Sequence, residues 1–195
     1  MTEVKNSGAD KGTVFMALLG TCITEWAWIE EQVYEICQLI LGTEPEHTSI
    51  LFYRTPTLES RIALADELMG TIFPKPESGE HSDPDAAVWR KLLLDIRAEM
   101  PVRNQLAHSP ATAGVYGTMD EKTGVITKVV TVAMHSVPHP HETWRPKTKN
   151  KAALHEPDLQ KHLEAVRSLH ERLKTFGREL LPKHVRSAFP DKFGK

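Results

Sequence analysis

Apolar residues in the first forty positions recur at steps of three and four. They fall at positions 15, 18/19, 22, 26, 29, 33, 36/37 and 40. This spacing follows the 3.6-residue turn of an α-helix, so it predicts a long amphipathic helix over 14–41 that ends at Gly42. Glu30, Glu31 and Glu35 lie off the apolar stripe. They are typical of a solvated face, although any one of them could face a polar pocket on a neighbouring helix.

The same periodicity predicts three more helices. The second begins at Thr57, or at Thr55 with Pro56 as its first helical residue, because a first turn does not need the N–H that proline lacks. The third follows Asp83 as its N-cap and carries apolar residues to position 100. The last runs over 157–181 and is ended by the proline that follows.

Two segments depart from the helical pattern. Residues 42–53 contain Pro45 and are predicted to form a loop or a short turn. Residues 113–135 are rich in β-branched side chains on both sides of a turn that ends at Gly124, which predicts a β-hairpin. The fold class expected is therefore all-α, a bundle of four to five helices with an inserted β-hairpin at about 113–135.

A chain of 195 residues is long enough for one domain with its own core. We place the helical domain at 13–181, with a hairpin and loop insertion at 113–156. The termini at 1–12 and 182–195 are expected to be flexible. The N-terminus lacks a signal-peptide pattern, and glutamates interrupt the first apolar stretch, so we expect a cytoplasmic protein without a membrane span.

The net charge of −2 hides an uneven distribution. Residues 145–195 carry 13 Lys and Arg against 6 Asp and Glu, a net charge of +7, and residues 1–144 carry 11 against 20, a net charge of −9. The basic quarter could attract nucleic acid, complement the acidic part of a partner subunit, or be a solvated helix face. The two cysteines, Cys22 and Cys37, are 15 positions apart on one predicted helix and are expected to be reduced core residues.

One stretch brings together residue types that could perform chemistry. In Arg103-Asn-Gln-Leu-Ala-His108, Asn104 and His108 are four positions apart and share a helix face, and the long arm of Arg103 can reach the same pocket. A guanidinium fork beside an imidazole suits a phosphate substrate. Pro101 requires either that the third helix continues with a kink or that a new short helix opens there.

The motif Arg103-Asn-Gln-Leu-Ala-His108 resembles the signature of the HEPN superfamily: an arginine, a polar residue that is often asparagine, three variable residues and a histidine. Its position after three helices and before a final one is similar as well. The resemblance implies an all-α bundle that dimerises and brings two motifs into one cleft. It also implies a metal-independent endoribonuclease of a toxin–antitoxin or defence system, with RNA as substrate and an antitoxin or other partner protein.

The resemblance further implies a role for each motif residue. His108 would exchange protons with the attacking 2′-hydroxyl or the leaving oxygen, Arg103 would bind the scissile phosphate, and Asn104 would orient His108 or donate to the phosphate. No metal and no cofactor is expected. A metal at His135, His139 and His141 is disfavoured, because neither a cysteine nor a carboxylate cluster completes the set.

Two alternatives stay open at this stage. One is a non-catalytic HEPN-like module for dimerisation, regulation or sensing, in which the motif makes structural hydrogen bonds. The other is an unrelated helical interaction protein that docks through its long, tryptophan-bearing first helix.

Overall fold

The computed structural model describes the backbone of residues 7–74, 83–108, 111–119, 126–134 and 153–193. Its elements, in chain order, are α1 (Ser7–Leu41), α2 (Pro45–Arg54), α3 (Leu58–Ile72), α4 (Pro84–His108), β1 (Ala111–Met119), β2 (Ile126–Met134), α5 (Glu156–Thr175), a π-turn (Phe176–Leu180), α6 (Leu181–Ala188) and α7 (Pro190–Phe193). The described chain is mostly helical, and the four long helices predicted from the sequence are present as α1, α3, α4 and α5.

Local chemistry sets the ends of these helices. Gly42 follows α1 with a φ of 58°, a left-handed conformation that glycine adopts without a steric cost. The hydroxyl of Thr57 accepts from the N–H of Ser60, and the hydroxyl of Ser60 accepts in return from the N–H of Thr57, so a capping box begins α3. At α4, Oδ1 of Asp83 accepts from the N–H of Asp85 at 2.8 Å. Of the two starts that the sequence left open for this helix, the structure has Thr57, and Asp83 stands where the sequence predicts a cap.

Two predictions about the N-terminal half are wrong. Residues 45–54 are helical rather than a loop, because Pro45 stands in the first turn, where its missing N–H costs nothing. Helix α1 begins at Ser7 instead of near position 14, so half of the predicted flexible leader is helical.

The prediction for the C-terminus is also wrong in part. The proline at 182 does not end the last helical region: a π-turn follows α5, and Pro182 occupies the first turn of α6. Helix α6 ends at Ala188 and the four-residue α7 follows after Phe189, and Leu181 and Val185 of α6 are buried. The segment expected to be a flexible tail is therefore packed through one face of α6.

Strands β1 and β2 pair antiparallel, in a register that places Ala111 opposite Met134 and Met119 opposite Ile126. The turn predicted at 120–124 and most of the loop predicted after the hairpin lie outside the described residues, as do the histidines at 135, 139 and 141.

The chain divides into two compact units. The first comprises Met1–Thr24 and Met100–Glu164, and the second comprises Glu25–Glu99 and Ala165–Lys195, so α1, α4 and α5 each contribute residues to both. In the first unit the thiol of Cys22 donates to the carbonyl of Leu159 at 3.6 Å. In the second the rings of Trp89 and Phe176 stack with centroids 5.6 Å apart.

Both cysteines are free and buried, as predicted. Burial raises the pKa of the Cys37 thiol to about 12, so this thiol stays protonated and unreactive at neutral pH. The predicted role of the two cysteines as core residues is confirmed.

Helix α1 is long and apolar enough over Lys11–Leu41 to cross a membrane, judged by length and composition alone. A core helix of a soluble protein and a signal sequence share these properties, and 33% of its most apolar part is buried within the protein. The absence of a membrane span stays a prediction.

Candidate functional site

The motif residues lie on the last two turns of α4. This helix runs from Pro84 through Pro101 to His108. The third helix therefore continues past Pro101, and no new short helix begins there. Asn104 and His108 are therefore one helical turn apart on the same face. Between them, Gln105 and Leu106 are 7% and 5% exposed and anchor the turn.

Arg103 and Asn104 contact each other directly. Nη1 of Arg103 donates to Oδ1 of Asn104 at 3.3 Å, and both residues are half-buried. The amide oxygen is engaged by the guanidinium, which leaves the amide NH₂ as the group that Asn104 can offer to an acceptor. The contact also restrains a side chain that otherwise has many rotamers.

His108 is exposed, and it makes no hydrogen bond or ion pair with any other residue in the described ranges. Because the ring is exposed, a ligand in solution can reach it. Arg103 and Asn104 are thus in contact and offer a restrained cation and an amide donor, and His108, one helical turn from Asn104, offers an exposed imidazole. These are the functions needed to bind a phosphate and move protons beside it.

The acidic residues Glu30, Glu31 and Glu35 of α1 all lie in the second unit. Glu30 forms an ion pair with Arg61. Glu35 accepts from the side-chain amide of Gln32 at 3.1 Å and lies 3.8 Å from Arg178. Glu31 is exposed. Glu30 and Glu35 therefore take part in the packing of α1.

A second polar cluster surrounds Glu25, a residue that is not among the candidates predicted from the sequence. Glu25 is 4% exposed. Its Oε1 accepts from Nε of Arg167 at 2.8 Å, and its Oε2 lies 3.6 Å from Nδ1 of His170. Oε2 has no hydrogen-bond partner among the described residues. The ring of His170 lies 5.5 Å from that of Trp28, which is 45% exposed.

A sequence signal for this cluster existed. Position 25 lies three residues after Cys22 and four before Ile29, so it faces the core side of α1. A charged residue at such a position needs a partner, because an isolated buried charge is costly. That partner could not be identified from the sequence, since Arg167 is 142 positions away.

A third cluster could hold a metal by its geometry alone. One ligand atom each from Asp83, Asp85 and His184 lie within 4.8 Å of one another. However, Oδ2 of Asp85 is already bound by Nε2 of His184 at 2.8 Å and by the ammonium of Lys183 at 2.7 Å. These contacts, the hydrogen bond from His184 first, hold the pKa of Asp85 below its ordinary value. With a lysine in the cluster, we interpret it as an ion-pair network.

A cleft of about 580 Å³ lies between α3 and α4 within the second unit. Met69, Phe73 and Trp89 form its apolar wall. The indole N–H of Trp89 donates to Oδ1 of Asp66 at 3.1 Å. Glu67, Arg90 and Arg97 also line the cleft, so it has the mixed apolar and polar surface of a ligand pocket.

No family model, curated protein or solved structure matches the chain. The likeness to the HEPN superfamily therefore rests on the six-residue motif and on the order of the helices. Of these groups of residues, the motif combines an exposed histidine with a half-buried arginine that an asparagine contacts.

Proposed function

We propose that this protein is a metal-independent endoribonuclease of the HEPN type. The observation that carries the proposal is the placement of Arg103, Asn104 and His108 on two consecutive turns of α4, with His108 exposed and Arg103 restrained by Asn104. The proposed fold is a HEPN-like arrangement of the long helices into which the β-hairpin is inserted, in a cytoplasmic protein.

The proposed reaction uses the RNA itself as nucleophile. The 2′-hydroxyl attacks the adjacent phosphorus, the bond to the 5′-oxygen of the next nucleotide breaks, and a 2′,3′-cyclic phosphate and a 5′-hydroxyl form. His108 accepts the proton of the 2′-hydroxyl or returns one to the leaving oxygen. The guanidinium of Arg103 binds the phosphate oxygens, where negative charge grows in the transition state. Because the nucleophile is internal, the reaction does not require a metal-activated water, and DNA cannot be a substrate.

The second proposed element is a homodimer. In the HEPN arrangement two copies of the motif share one cleft, so each protomer would supply an arginine and a histidine to the same phosphate. A cognate antitoxin or other partner protein would act by covering that cleft. Both statements come from the resemblance and are part of the proposal.

A non-catalytic HEPN-like module for dimerisation, regulation or sensing is the second candidate. It is favoured by the contact between Arg103 and Asn104 at 3.3 Å, which by itself would serve to fix the end of α4. In that case replacement of His108 would change the affinity for a ligand but would leave the stability of the protein unchanged.

Cleavage of RNA in the presence of a chelator separates the two candidates. The full chain is incubated with a single-stranded RNA of mixed sequence and with the same sequence as DNA, each with excess EDTA. We expect cleavage of the RNA only, with products that end in a cyclic or 2′(3′)-phosphate and begin with a 5′-hydroxyl. Cleavage that EDTA abolishes, or intact RNA at every protein concentration, would contradict the proposal and favour the module.

A further inference from the structure

A second cavity, of about 510 Å³, lies within the second unit, between the first turns of α4 and the end of α5 with its π-turn. Its apolar lining comes from Val88 and Leu92 of α4 and from Phe176 and Leu180 of the π-turn. Phe176 is 1% exposed and Val88 is 39% exposed, so the cavity reaches from the core to the surface. Its volume is that of a small-molecule site, which is commonly about 300–1,000 Å³.

The π-turn supplies part of this lining. Its wider ring is closed by the N–H of Leu181, which donates to the carbonyl of Phe176 five residues earlier. Leu181 is therefore the residue that is buried in the core, while Leu180 is half-buried and lines the cavity. Such turns are rare within helices and occur frequently at functional sites. This one directs a leucine to the cavity.

The charges on the lining are unbalanced. Nζ of Lys91 lies 2.7 Å from Oδ1 of Asp95, and Nη2 of Arg172 lies 2.8 Å from Oδ2 of the same carboxylate. Lys91 and Arg172 both line the cavity, and two cations that share one carboxylate leave one positive charge over. The third charged residue of the lining, Glu171, has a cation of its own, since Lys174 lies 3.7 Å from it.

The surplus charge stands at one end of the cavity. Helix α4 runs antiparallel to the chain from α5 to α6, as two ion pairs show: Arg172 with Asp95 and Lys183 with Asp85. Pro84 and Leu180 therefore line the end opposite to Lys91, and seven residues of helix, about 10 Å, separate Pro84 from Lys91. The cavity thus combines an apolar length with a cationic end.

We propose that this cavity binds an amphiphilic carboxylate, with the anionic head between Lys91 and Arg172 and the apolar body along the π-turn. A guanidinium binds a carboxylate through two parallel N–H···O bonds. Arg172 donates from Nη2 to Asp95 and from Nε to the carbonyl of Ser168, and these two contacts do not exhaust its five N–H donors. The motif Arg103–His108 belongs to the first unit and the cavity to the second, and the inference does not depend on RNA cleavage.

The first test compares two ligands on the wild-type chain. Octanoate and octanamide have the same apolar body, but only octanoate carries a charge. We expect octanoate to shift the backbone ¹H–¹⁵N resonances of residues around the cavity with a dissociation constant of about 0.1–1 mM, an ordinary affinity for so small a ligand. Octanamide should bind at least about tenfold more weakly, because it cannot form charge-assisted hydrogen bonds with the guanidinium.

The second test changes the charges at the cationic end. Arg172→Gln should weaken octanoate binding by about tenfold. Its matched control is Arg178→Gln, which removes the same charge from an exposed π-turn residue that lies 3.8 Å from Glu35, and it should bind like the wild type. Asp95→Asn should act in the opposite direction and strengthen binding by about two- to fivefold, since it releases both cations from a partly exposed ion pair.

The third test fills the cavity. Ala87 is exposed and lines it, so Ala87→Trp should abolish octanoate binding without a change in the core. Ala98→Trp adds the same ring to another exposed position of α4 and should bind normally.

Three outcomes would overturn the proposal: no saturable shift from octanoate up to about 10 mM, octanamide bound as tightly as octanoate, or full binding by a folded Ala87→Trp variant. The comparison of the two ligands needs no variant, so it holds even where a substitution prevents folding. RNA cleavage is measured in a separate assay, and its presence or absence changes none of these expectations.

Discussion

Nε of Arg167 on α5 donates to Oε1 of Glu25 on α1 at 2.8 Å, which joins a side chain that is 55% exposed to a carboxylate that is 5% exposed. The arginine therefore supplies the positive charge that permits a carboxylate in the core of the second unit. The second oxygen of that carboxylate has no hydrogen-bond partner in the described part of the chain, so the arginine is the main source of compensation.

Replacement of Arg167 should destabilise the protein more than replacement of the Glu25 carboxylate that it neutralises. We expect Arg167→Leu to lower the free energy of unfolding by about 1–3 kcal/mol, because it leaves a buried carboxylate with only the contact to His170. Glu25→Gln should cost less, since an amide is cheaper to bury than a charge. Urea unfolding of the two variants and the double variant measures the difference. Equal losses in both single variants would contradict this account.

Asp85 should make stability depend on acid pH. The hydrogen bond from His184 and the ion pair with Lys183 lower the pKa of Asp85 in the folded chain. Above the pKa of the unfolded carboxyl, about 4, its full contribution is present, and it is lost as the pH falls through the lower folded pKa, where the folded carboxylate finally binds a proton. Thermal midpoints from about pH 2.5 to 5 should fall less steeply in Asp85→Asn than in the wild type.

The control for that experiment is Asp191→Asn, which changes a carboxyl in the first turn of α7 that is exposed. It should follow the wild-type profile. If the thermal midpoint of Asp85→Asn depends on pH in the same way as those of Asp191→Asn and the wild type, the prediction is wrong and the ion-pair network at the start of α4 contributes no measurable pH dependence.

The capping box of α3 should contribute measurably to stability. Thr57→Ala removes an acceptor for the N–H of Ser60, and we expect a loss of about 1 kcal/mol. Thr71→Ala is the matched change inside the same helix, where the hydroxyl donates to the carbonyl of Leu68 and the residue is exposed. It should alter the free energy of unfolding by less than about 0.5 kcal/mol. Chemical unfolding of the two variants is the measurement.

Loss of the motif side chains should abolish cleavage without loss of the fold. We expect His108→Ala to reduce the cleavage rate by about 10²–10⁴-fold, as for other proton-transfer groups, and Arg103→Ala by about 10²–10³-fold. Arg103→Lys should recover only part of the rate, because an ammonium lacks the planar fork. Since His108 is exposed, its replacement should leave the thermal midpoint near that of the wild type.

Matched controls for the motif are Arg186→Ala and His155→Ala, which remove an exposed arginine and an exposed histidine elsewhere in the chain. Both should cleave at the wild-type rate. Full cleavage by His108→Ala would exclude the proposed role of the imidazole, and unfolding of both motif variants would indicate a structural pair instead.

The parts of this structure that the sequence predicts are those set by near neighbours. The stripe along α1, the cap at Thr57 and the shared face of Asn104 and His108 depend on residues within a few positions, and each is found as expected. Helix α2 was not predicted because its apolar residues lie on both its buried and its exposed sides, so they do not follow the helical repeat. Pro45 then made a loop the simpler interpretation. The pairing of Glu25 with Arg167 escaped because only the tertiary fold joins positions so far apart.

The π-turn also has a consequence for the spacing of the core. Apolar residues are buried at 166, 169 and 173 of α5 and at 176, the first residue of the π-turn. The next buried position is Leu181, five residues on, and then Val185. A regular helical repeat would place Leu180 at this core position. The wider π-turn takes up this one extra residue and so keeps the residues after it on the core side. Deletion of a single residue between Phe176 and Leu181 would leave Leu181 four positions after Phe176, which is the spacing of a regular α-helix. The shorter chain should therefore lose the π-turn and still bury Leu181 and keep His184 beside Asp85, so this segment is a place where the fold tolerates a change in chain length.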